Sequence, residues 1–408
     1  MQASCCRFRY DCVDRRNKVL ISITPDKRRP NMGETMNIFA RLTAALLMGG
    51  AMLVGANGMA QAKPYKVYLS MSYIGNDWQA EAENMVKAMA ASTTLKNKVR
   101  LDVQVAGPNA QRQIQQINAM VEAGAQAIVV YPISPTALDP VIRSACARHV
   151  VVIAYDAQVT EPCAYDVHID QTEAGRVTGQ WLADTLHGKG NIVVMDGVPG
   201  TSVDTARTAA AKAVFAKYPG IHIIAEGVGM WSQAVARTEL SKIVATHPWS
   251  SIDGLWMQVG CLTATSMESE AGIKDAALKP CAGEGSNGHR IEMLPEGTAV
   301  QGGQGPYRPM GLPSISYASP PYSGALALKL AVEKLDGGTM PHNIVLPLPL
   351  ATNATVHLCT TGTWQDMRSG CNVFQPAVIT NPGWFAAIFS KDTPEVGLQA
   401  ALHGTPEQ

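Results

Sequence analysis

The chain has no excess charge of either sign. Among its 408 residues, 33 lysines and arginines balance 33 aspartates and glutamates, and no stretch forms a basic stripe. Nucleic acids and anionic lipid surfaces are recognised by clustered positive charge, so this balance argues against both as partners. Hydrophobic residues make up 46% of the sequence, as in an ordinary globular protein.

Motifs of common catalytic and metal sites are also missing. The sequence contains no Gly-x-Ser-x-Gly elbow, no His-Glu-x-x-His pair and no Walker phosphate loop. Its nine histidines are scattered, and no Cys-x-x-Cys pair or Cys/His array has zinc spacing. We therefore predict a protein that is not an enzyme and that uses no metal or other cofactor.

One glycine-rich run has the spacing of a dinucleotide-binding loop. Residues Gly283–Gly288 match Gly-x-Gly-x-x-Gly, the pattern of dinucleotide-binding loops. The preceding Lys279–Cys281 makes a poor buried strand, and no acidic residue follows at the distance that would hold a ribose. We interpret the run as a loop.

Only one long apolar run is present. Arg41 supplies a positive flank, Leu42–Val54 is uncharged and mostly apolar, and Ala60–Ala62 is a small-x-small end. The run is shorter than the ~20 residues that span a bilayer. This layout over residues 36–62 is typical of a secretory signal peptide cleaved after Ala62, which predicts an exported protein.

The 35 residues before this signal fit no structural class. A signal peptide normally begins at the initiator methionine, so we predict that Met36 is the true start and that residues 1–35 are an upstream-start artefact. A long, disordered n-region is the alternative. The roughly 346 residues that remain after the signal are enough for two domains.

Six cysteines follow the signal, and an even number in an exported chain suggests disulfides. They are Cys146, Cys163, Cys261, Cys281, Cys359 and Cys371. Six cysteines allow many pairings, but the spacing favours neighbours: 146 with 163, 261 with 281, and 359 with 371. The alternative is six separate buried thiols.

Apolar runs alternate with amphipathic stretches along most of the chain. We predict strands at 65–72, 101–106, 127–131, 150–155, 191–195, 221–225 and 254–259, and helices at 78–91, 111–123, 138–149, 172–186, 205–217, 233–245 and 323–335. Later strand candidates are 344–350, 355–358 and 377–379. Such alternation predicts an α/β fold with parallel sheets, and the two successive sets predict two doubly wound lobes that join near residues 166–170.

The residues that follow the predicted strands are polar, glycine-rich and aromatic. Ligands bind beyond the carboxyl ends of parallel strands. The candidates there are 72–78, 106–109, 132–134, Asp156, 197–202, 229–231 and Gly260. Hydrogen-bonding groups beside flat apolar faces suit a small polar ligand.

Several local strings, in order, resemble one known family. They are Asn76–Trp78, the helix and strand over 111–130, Val152–Asp156, Asp170–Gly175, and Gly200–Ser202 followed by Arg207. Over residues 65–350 the chain resembles the periplasmic sugar-binding proteins of ABC importers, the ribose-binding-protein-like type I group. The resemblance implies two lobes joined by a multi-crossover hinge. We predict a first lobe of 63–170 plus 320–345, a second of 171–319 plus 346–380, and a tail of 381–408.

The resemblance also implies roles for individual residues. Asp156 would accept hydrogen bonds from sugar hydroxyls, and Arg207 would donate to hydroxyls and the ring oxygen. Trp78 and Trp231 would hold the sugar ring between them, and Asn76 would add an amide.

Other positions depart from the family pattern. Ser319, or the nearby Tyr322, would occupy a late hinge position where the family often has glutamine. Glu284 would replace the aspartate of a Phe-Asp-Gly motif, and Val259-Gly260 stands where the family has Asn-Asp. Each residue also has a purely structural alternative, and these departures leave the identity of the ligand open.

The resemblance implies a monomeric periplasmic protein that passes a sugar or polyol to an ABC permease, with no nucleic-acid partner and no membrane insertion of the mature chain. A module that presents ligand to a chemoreceptor or sensor kinase is an alternative, and a secreted enzyme on the same fold is another. A repressor of the related regulatory fold is disfavoured, because the signal stands where a DNA-binding helix-turn-helix would be expected.

Overall fold

Fourteen strands, eleven α-helices and two short 3-10 helices (Trp249–Ser251 and Asp275–Ala277) form the part of the chain that the computed structural model describes, residues 63–407. The strands are β1 (Tyr65–Met71), β2 (Val99–Val105), β3 (Ala127–Tyr131), β4 (Val151–Tyr155), β5 (Tyr165–Ile169), β6 (Lys189–Asp196), β7 (Gly220–Val228), β8 (Gly254–Met257), β9 (Cys281–Glu284), β10 (Ser314–Tyr317), β11 (Asn343–Leu346), β12 (Ala351–Thr352), β13 (Leu358–Cys359) and β14 (Val373–Phe374). The helices are α1 (Asp77–Ala91), α2 (Ala110–Glu122), α3 (Asp139–Ala147), α4 (Gln171–Thr185), α5 (Ser202–Phe215), α6 (Gln233–Thr246), α7 (Cys261–Glu270), α8 (Asn287–Met293), α9 (Ser323–Leu335), α10 (Trp364–Arg368) and α11 (Leu398–His403).

Two six-stranded sheets have the same strand order. The first runs β11-β5-β4-β3-β1-β2 and is parallel throughout. The second runs β12-β10-β9-β8-β6-β7 and is parallel except for its short edge strand β12. We call each sheet with its helices the first and the second lobe. The predicted α/β class with two doubly wound lobes is confirmed.

The central strands are buried on both faces because helices cover each sheet on both sides. All five residues of β3 are buried. In the first lobe, α1 and α9 pack over one face, and the core of the other face includes residues of α2 and α3. A strand buried on both faces has a continuous apolar run rather than an alternating pattern. This is why β3 and β4 could be recognised from sequence.

The chain passes between the sheets three times. It leaves β5 for α4 at Asp170, leaves β10 for α9 after Tyr317, and leaves β11 for β12 after Leu346. Asp170 caps α4 by accepting a hydrogen bond from the backbone N–H of Glu173. These passages form the multi-crossover hinge. The predicted residue limits of the lobes remain a prediction.

The structure corrects several local assignments. The run Gly283–Gly288 is a loop only in part: its first two residues end strand β9, Gly285 and Ser286 form the connection, and its last two residues begin α8. A Cβ on Gly283 would lie 1.7 Å from the carbonyl oxygen of Met257, so the absence of a side chain allows β9 to pair closely with β8. Strands β5, β9 and β10 had no prediction. Strand β5 carries the polar residues Asp166 and His168, and β9 and β10 have four residues each and contain glycine or serine.

The late strand candidates are only partly correct. Residues 377–379 form no strand, and only Leu358 of 355–358 lies in one. The strand over 344–350 ends at Leu346, where prolines begin. Proline lacks the N–H that a strand ladder needs.

Disulfides are present in the structure, as predicted. They join Cys146 to Cys163 in the first lobe, Cys261 to Cys281 in the second, and Cys359 to Cys371 beside the β13–β14 pair. These are the neighbouring pairs that the spacing favoured.

The C-terminal segment packs on the first lobe. Helix α11 lies against α1, where the Asn84 side-chain amide donates to the carbonyl of Ala401 at 2.9 Å. Phe385, Ile388 and Leu398 belong to the same buried cluster as β1 and α9.

None of the described helices has the length and apolar character needed to cross a membrane. The predicted signal at 36–62 and the segment 1–35 lie outside the described residues.

Candidate functional site

The carboxyl ends of strands from both sheets face a cavity, and the empty space in and around it, open solvent included, is about 280 Å³. All seven residues predicted to bind a ligand line it: Asn76, Trp78, Asp156, Arg207, Trp231, Glu284 and Ser319. Their contact with a ligand remains a prediction, but the fold brings them together. Tyr322, the alternative to Ser319, is buried and does not line the cavity.

Asn76 links the two lobes. It follows β1 and caps α1, because its side-chain oxygen accepts a hydrogen bond from the backbone N–H of Gln79 at 2.9 Å. Its amide nitrogen donates to the carbonyl of Trp231 at 3.1 Å. The cap on α1 and the hydrogen bond to Trp231 together fix the position of one wall of the cavity relative to the other.

Trp78 is part of an aromatic platform in the first lobe. Its ring lies 5.7 Å from Tyr131 and stacks on Tyr155 at 6.5 Å, measured between centroids. Its indole N–H donates to the carbonyl of Ser319 at 2.8 Å. A buried indole whose single donor is satisfied presents a fixed apolar face.

Asp156 sits at the end of β4 in a left-handed backbone conformation, with φ of 58°. The N–H of Ala157 donates to the carbonyl of Tyr155 at 2.7 Å and closes a tight turn around it. Such backbone strain concentrates at functional sites. Asp156 Oδ1 accepts from Ser319 Oγ at 2.6 Å and from Gln171 Nε2 at 3.0 Å. No residue of the described chain donates to Oδ2.

Arg207 lies on α5 and is 1% exposed. Its guanidinium donates to Glu284 Oε2 at 2.8 Å, to Ser319 Oγ at 2.7 Å and to Gln171 Oε1 at 2.8 Å. Helix α5 can lie this close to α4 because Gly175 has no side chain: a Cβ there would lie 2.2 Å from the carbonyl oxygen of Arg207.

One buried cation therefore faces two buried carboxylates. Burial raises the pKa of Asp156, and the attraction of Arg207 offsets this only in part. Burial likewise raises the pKa of Glu284. Burial lowers the pKa of Arg207, but Glu284, Tyr317 and Asp156 raise it by more, so the guanidinium stays charged. The site has a surplus of acceptor oxygens, which hydroxyl donors on a ligand would satisfy.

Trp231 occupies a loop of the second lobe. Met230 and Trp231 both have left-handed backbone conformations, with φ of 54° and 51°. The indole N–H donates to Gln258 Oε1 at 2.8 Å. A Cβ on Gly197 would lie 2.0 Å from the indole nitrogen, so the indole fits only because position 197 is glycine.

Five further residues line the cavity and were missed: Gln79, Tyr131, Val203, Val259 and Phe385. Gln79 is 1% exposed, and neither atom of its side-chain amide has a hydrogen-bond partner among the described residues. Such a group costs free energy unless a ligand satisfies it. The predicted strand-end segment 72–78 ends one residue before Gln79. No local feature of the sequence indicated that Phe385 would line the cavity.

The site combines two indole faces with carboxylate, guanidinium and amide groups. This chemistry suits a small ligand that has several hydroxyls and an apolar face. Within residues 63–407, no group of three or more His, Cys, Asp and Glu side chains is placed to hold a metal ion.

A sequence profile described as "Periplasmic binding protein domain" matches residues 67–339. The chain belongs to this family. The predicted resemblance to type I periplasmic binding proteins is confirmed, and the family supports periplasmic residence in general terms.

Relatives and solved structures agree with this membership. The chain is 29% identical to the xylitol-binding protein of Mycolicibacterium smegmatis over 43% of this chain, and the match spans about half (52%) of that protein. It is 24% identical to the galactofuranose-binding protein YtfQ of Escherichia coli, over 58% of this chain and 74% of that protein. A solute-binding protein of an ABC transporter from Thermobispora bispora superposes with a TM-score of 0.62 at 22% identity, covering 80% of this chain and 92% of that one. These relatives are binding proteins rather than enzymes, in general agreement with the predicted non-enzymatic role.

Proposed function

We propose that this periplasmic binding protein captures a sugar or polyol between its two lobes and delivers it to an ABC permease. The observation that carries the proposal is the cavity at the strand ends, which is lined by the buried side chains of two tryptophans, one arginine and two acidic residues. A carboxylate with an unused oxygen and an unpartnered amide at Gln79 both await hydrogen-bonding partners. A polyhydroxylated ligand supplies donors and acceptors together.

The ligands named for two relatives support a small polyhydroxylated ligand for this protein. Xylitol and galactofuranose, named in two of them, are small, uncharged and rich in hydroxyls. Ala157 follows Asp156 where the resembled family often has arginine, and Val259-Gly260 stands where that family has Asn-Asp, so polar groups of the family are missing at both places. We therefore propose a small sugar or polyol rather than ribose specifically.

Calorimetric titration with pentoses, hexoses and polyols tests this function. We expect at least one of them to bind and to change the fluorescence of Trp78 and Trp231. Asp156→Asn should weaken that binding about tenfold or more, because it removes a charged acceptor. Asp336→Asn is a matched control, since Asp336 pairs with Lys98 on the surface, away from the cavity. If no member of the panel binds, the proposal is wrong.

The partner requires a separate experiment. A sensor role remains the second candidate, since one solved structure of similar fold is the fructose-binding periplasmic domain of a hybrid two-component system, with a TM-score of 0.57 at 18% identity. Ligand-loaded protein should stimulate ATP hydrolysis by its permease in proteoliposomes. Stimulation of a sensor kinase instead of a permease would favour the alternative.

A further inference from the structure

A short C-terminal segment crosses from the second lobe to the first beside the cavity. We call residues Asn381–Phe385 the C-terminal strap. They lie beyond residues 67–339, the part that matches the family profile. The strap contacts one helix of each lobe, α8 and α1, and both helices begin near the cavity.

On the second-lobe side, the strap caps α8. The backbone N–H of Asn287 donates to the carbonyl of Trp384, and that of Gly288 donates to the carbonyl of Pro382 at 2.8 Å. The first N–H groups of a helix have no partner within the helix, so these carbonyls satisfy them. A Cβ on Gly288 would lie 2.7 Å from Pro382 Cβ, so this approach depends on glycine.

On the first-lobe side, the strap binds two acidic residues of α1. The N–H of Phe385 donates to Glu81 Oε1 at 2.7 Å, and the Asn381 amide donates to Asp77 Oδ1 at 3.0 Å. Gly383 again allows the approach, because a Cβ there would lie 1.9 Å from Asp77 Oδ2. Glu81 is fully buried, so this is an anchored contact rather than a surface one.

These contacts position the side chain of Phe385. It is 4% exposed and lines the ligand cavity. With Gly383 it also lines an adjoining space of about 540 Å³, open solvent included, which shares Asn76, Trp231 and Val259 with the cavity. Phe385 thus lies between the inner cavity and the outer space.

We propose that the C-terminal strap is a third wall of the binding site, and that Phe385 limits the size of the ligand that the two lobes can enclose. This inference deepens the proposed function and rests on it. The fixed ring excludes a substituent that would otherwise project into the outer space. The contacts to Glu81 and to α8 hold the ring in place and link the lobes.

Paired ligands that differ by one carbon test the size limit. Xylitol against sorbitol, and L-arabinose against D-galactose, form such pairs. Phe385→Ala should shift the affinity ratio toward the six-carbon member by about tenfold or more, the scale on which a pocket discriminates one missing or added carbon. Phe389→Ala is the matched control, because Phe389 lies shortly after the strap, packs on Trp364 and does not line the cavity. Should Phe385→Ala fail to fold, Phe385→Leu gives the same measurement.

A ratio that stays within about twofold in the Phe385 variant, or that moves equally in the Phe389 control, overturns the proposal. The proposed function fails separately, if the unaltered protein binds none of these ligands.

The anchoring contact is tested by the dissociation rate of whichever of the four ligands binds tightest. Burial raises the pKa of Glu81 well above its usual range, so Glu81→Gln keeps the shape and the acceptor for the Phe385 N–H. Glu81→Met removes that acceptor. We expect dissociation to be about tenfold faster in Glu81→Met than in Glu81→Gln. Equal rates in the two variants would overturn the claim that the contact with Glu81 holds the Phe385 ring in place.

Discussion

The two lobes share a strand order but build different halves of the site. The first lobe presents Trp78 on a helix, packed against two tyrosines. The second lobe presents Trp231 on a loop with strained backbone, next to the pair of Arg207 and Glu284. One wall is a rigid aromatic platform, whereas the other holds most of the buried charge. The shared strand order therefore determines where the site lies, at the strand ends of both lobes. It does not determine which side chains each lobe contributes to the site.

Removal of the second-lobe cation should have the largest effect. Arg207→Met leaves Glu284 and Asp156 buried without a compensating charge, which should lower the free energy of unfolding by about 3–5 kcal/mol. Urea denaturation measures this. The double variant Arg207→Met/Glu284→Gln should recover part of the loss, because it removes the pair together. A loss below about 1 kcal/mol in the single variant would contradict the importance of this pair.

Replacement of the two tryptophans should reduce stability by different amounts, although both are expected to contribute to ligand binding. Trp78→Ala removes one ring of the aromatic platform and leaves a cavity beside the two tyrosines, which should cost about 3–5 kcal/mol of stability. Trp231→Ala should cost roughly half as much, because a loop can collapse more easily than a packed helix. Both variants should lose ligand affinity. Thermal denaturation and calorimetry measure the two effects, and equal stability losses would refute the proposed difference between the walls.

The disulfides offer a similar contrast. The first-lobe disulfide Cys146–Cys163 and the second-lobe disulfide Cys261–Cys281 close loops of comparable length, with separations of 17 and 20 residues. Each should therefore contribute about 3 kcal/mol to stability. Cys261 and Cys281 are 1% exposed, whereas Cys146 and Cys163 are only partly buried. Replacement of the second-lobe pair by alanines should therefore destabilise more, and mass spectrometry should show the first-lobe pair reduced first. The reverse order would contradict this account.

An effect of pH should also come from the second lobe. Burial raises the pKa of Glu268 to about 7, while the Lys279 N–H and charge lower it only in part. The group therefore favours folding when protonated, and its contribution is lost as the pH rises from about 4.5 towards 7. Glu268→Gln should be more stable than the unaltered protein by about 3 kcal/mol at pH 8 and equal to it near pH 4. A difference that does not vary with pH would refute the shift.

Much of the fold could be predicted because buried parallel strands have a local signature. The runs at 127–131 and 150–155 were recognisable from five or six apolar residues in succession. Strand β9 was missed because its sequence, Cys281–Glu284, contains glycine and follows proline. Its place in the sheet depends on the close pairing of Gly283 with β8, which is a tertiary contact.

Part of the site was also predictable. Residues that follow strands in a doubly wound sheet converge on one edge, so Asp156, Trp78 and Trp231 could be nominated from position alone. Gln79 was missed by one residue. Phe385 could not be predicted, because its partner Glu81 is 304 positions away in the chain.

The sequence by itself determined the alternation of strands and helices, the residues available at the strand ends and the neighbouring cysteines, because each depends on patterns within a few residues. Only the tertiary structure decided which strand-end residues contact residues that are distant in the chain. Arg207 reaches Ser319 across 112 positions, and the C-terminal strap reaches α1 across more than 300. Contacts of this range arise from the packing of whole lobes, and local periodicity contains no information about them.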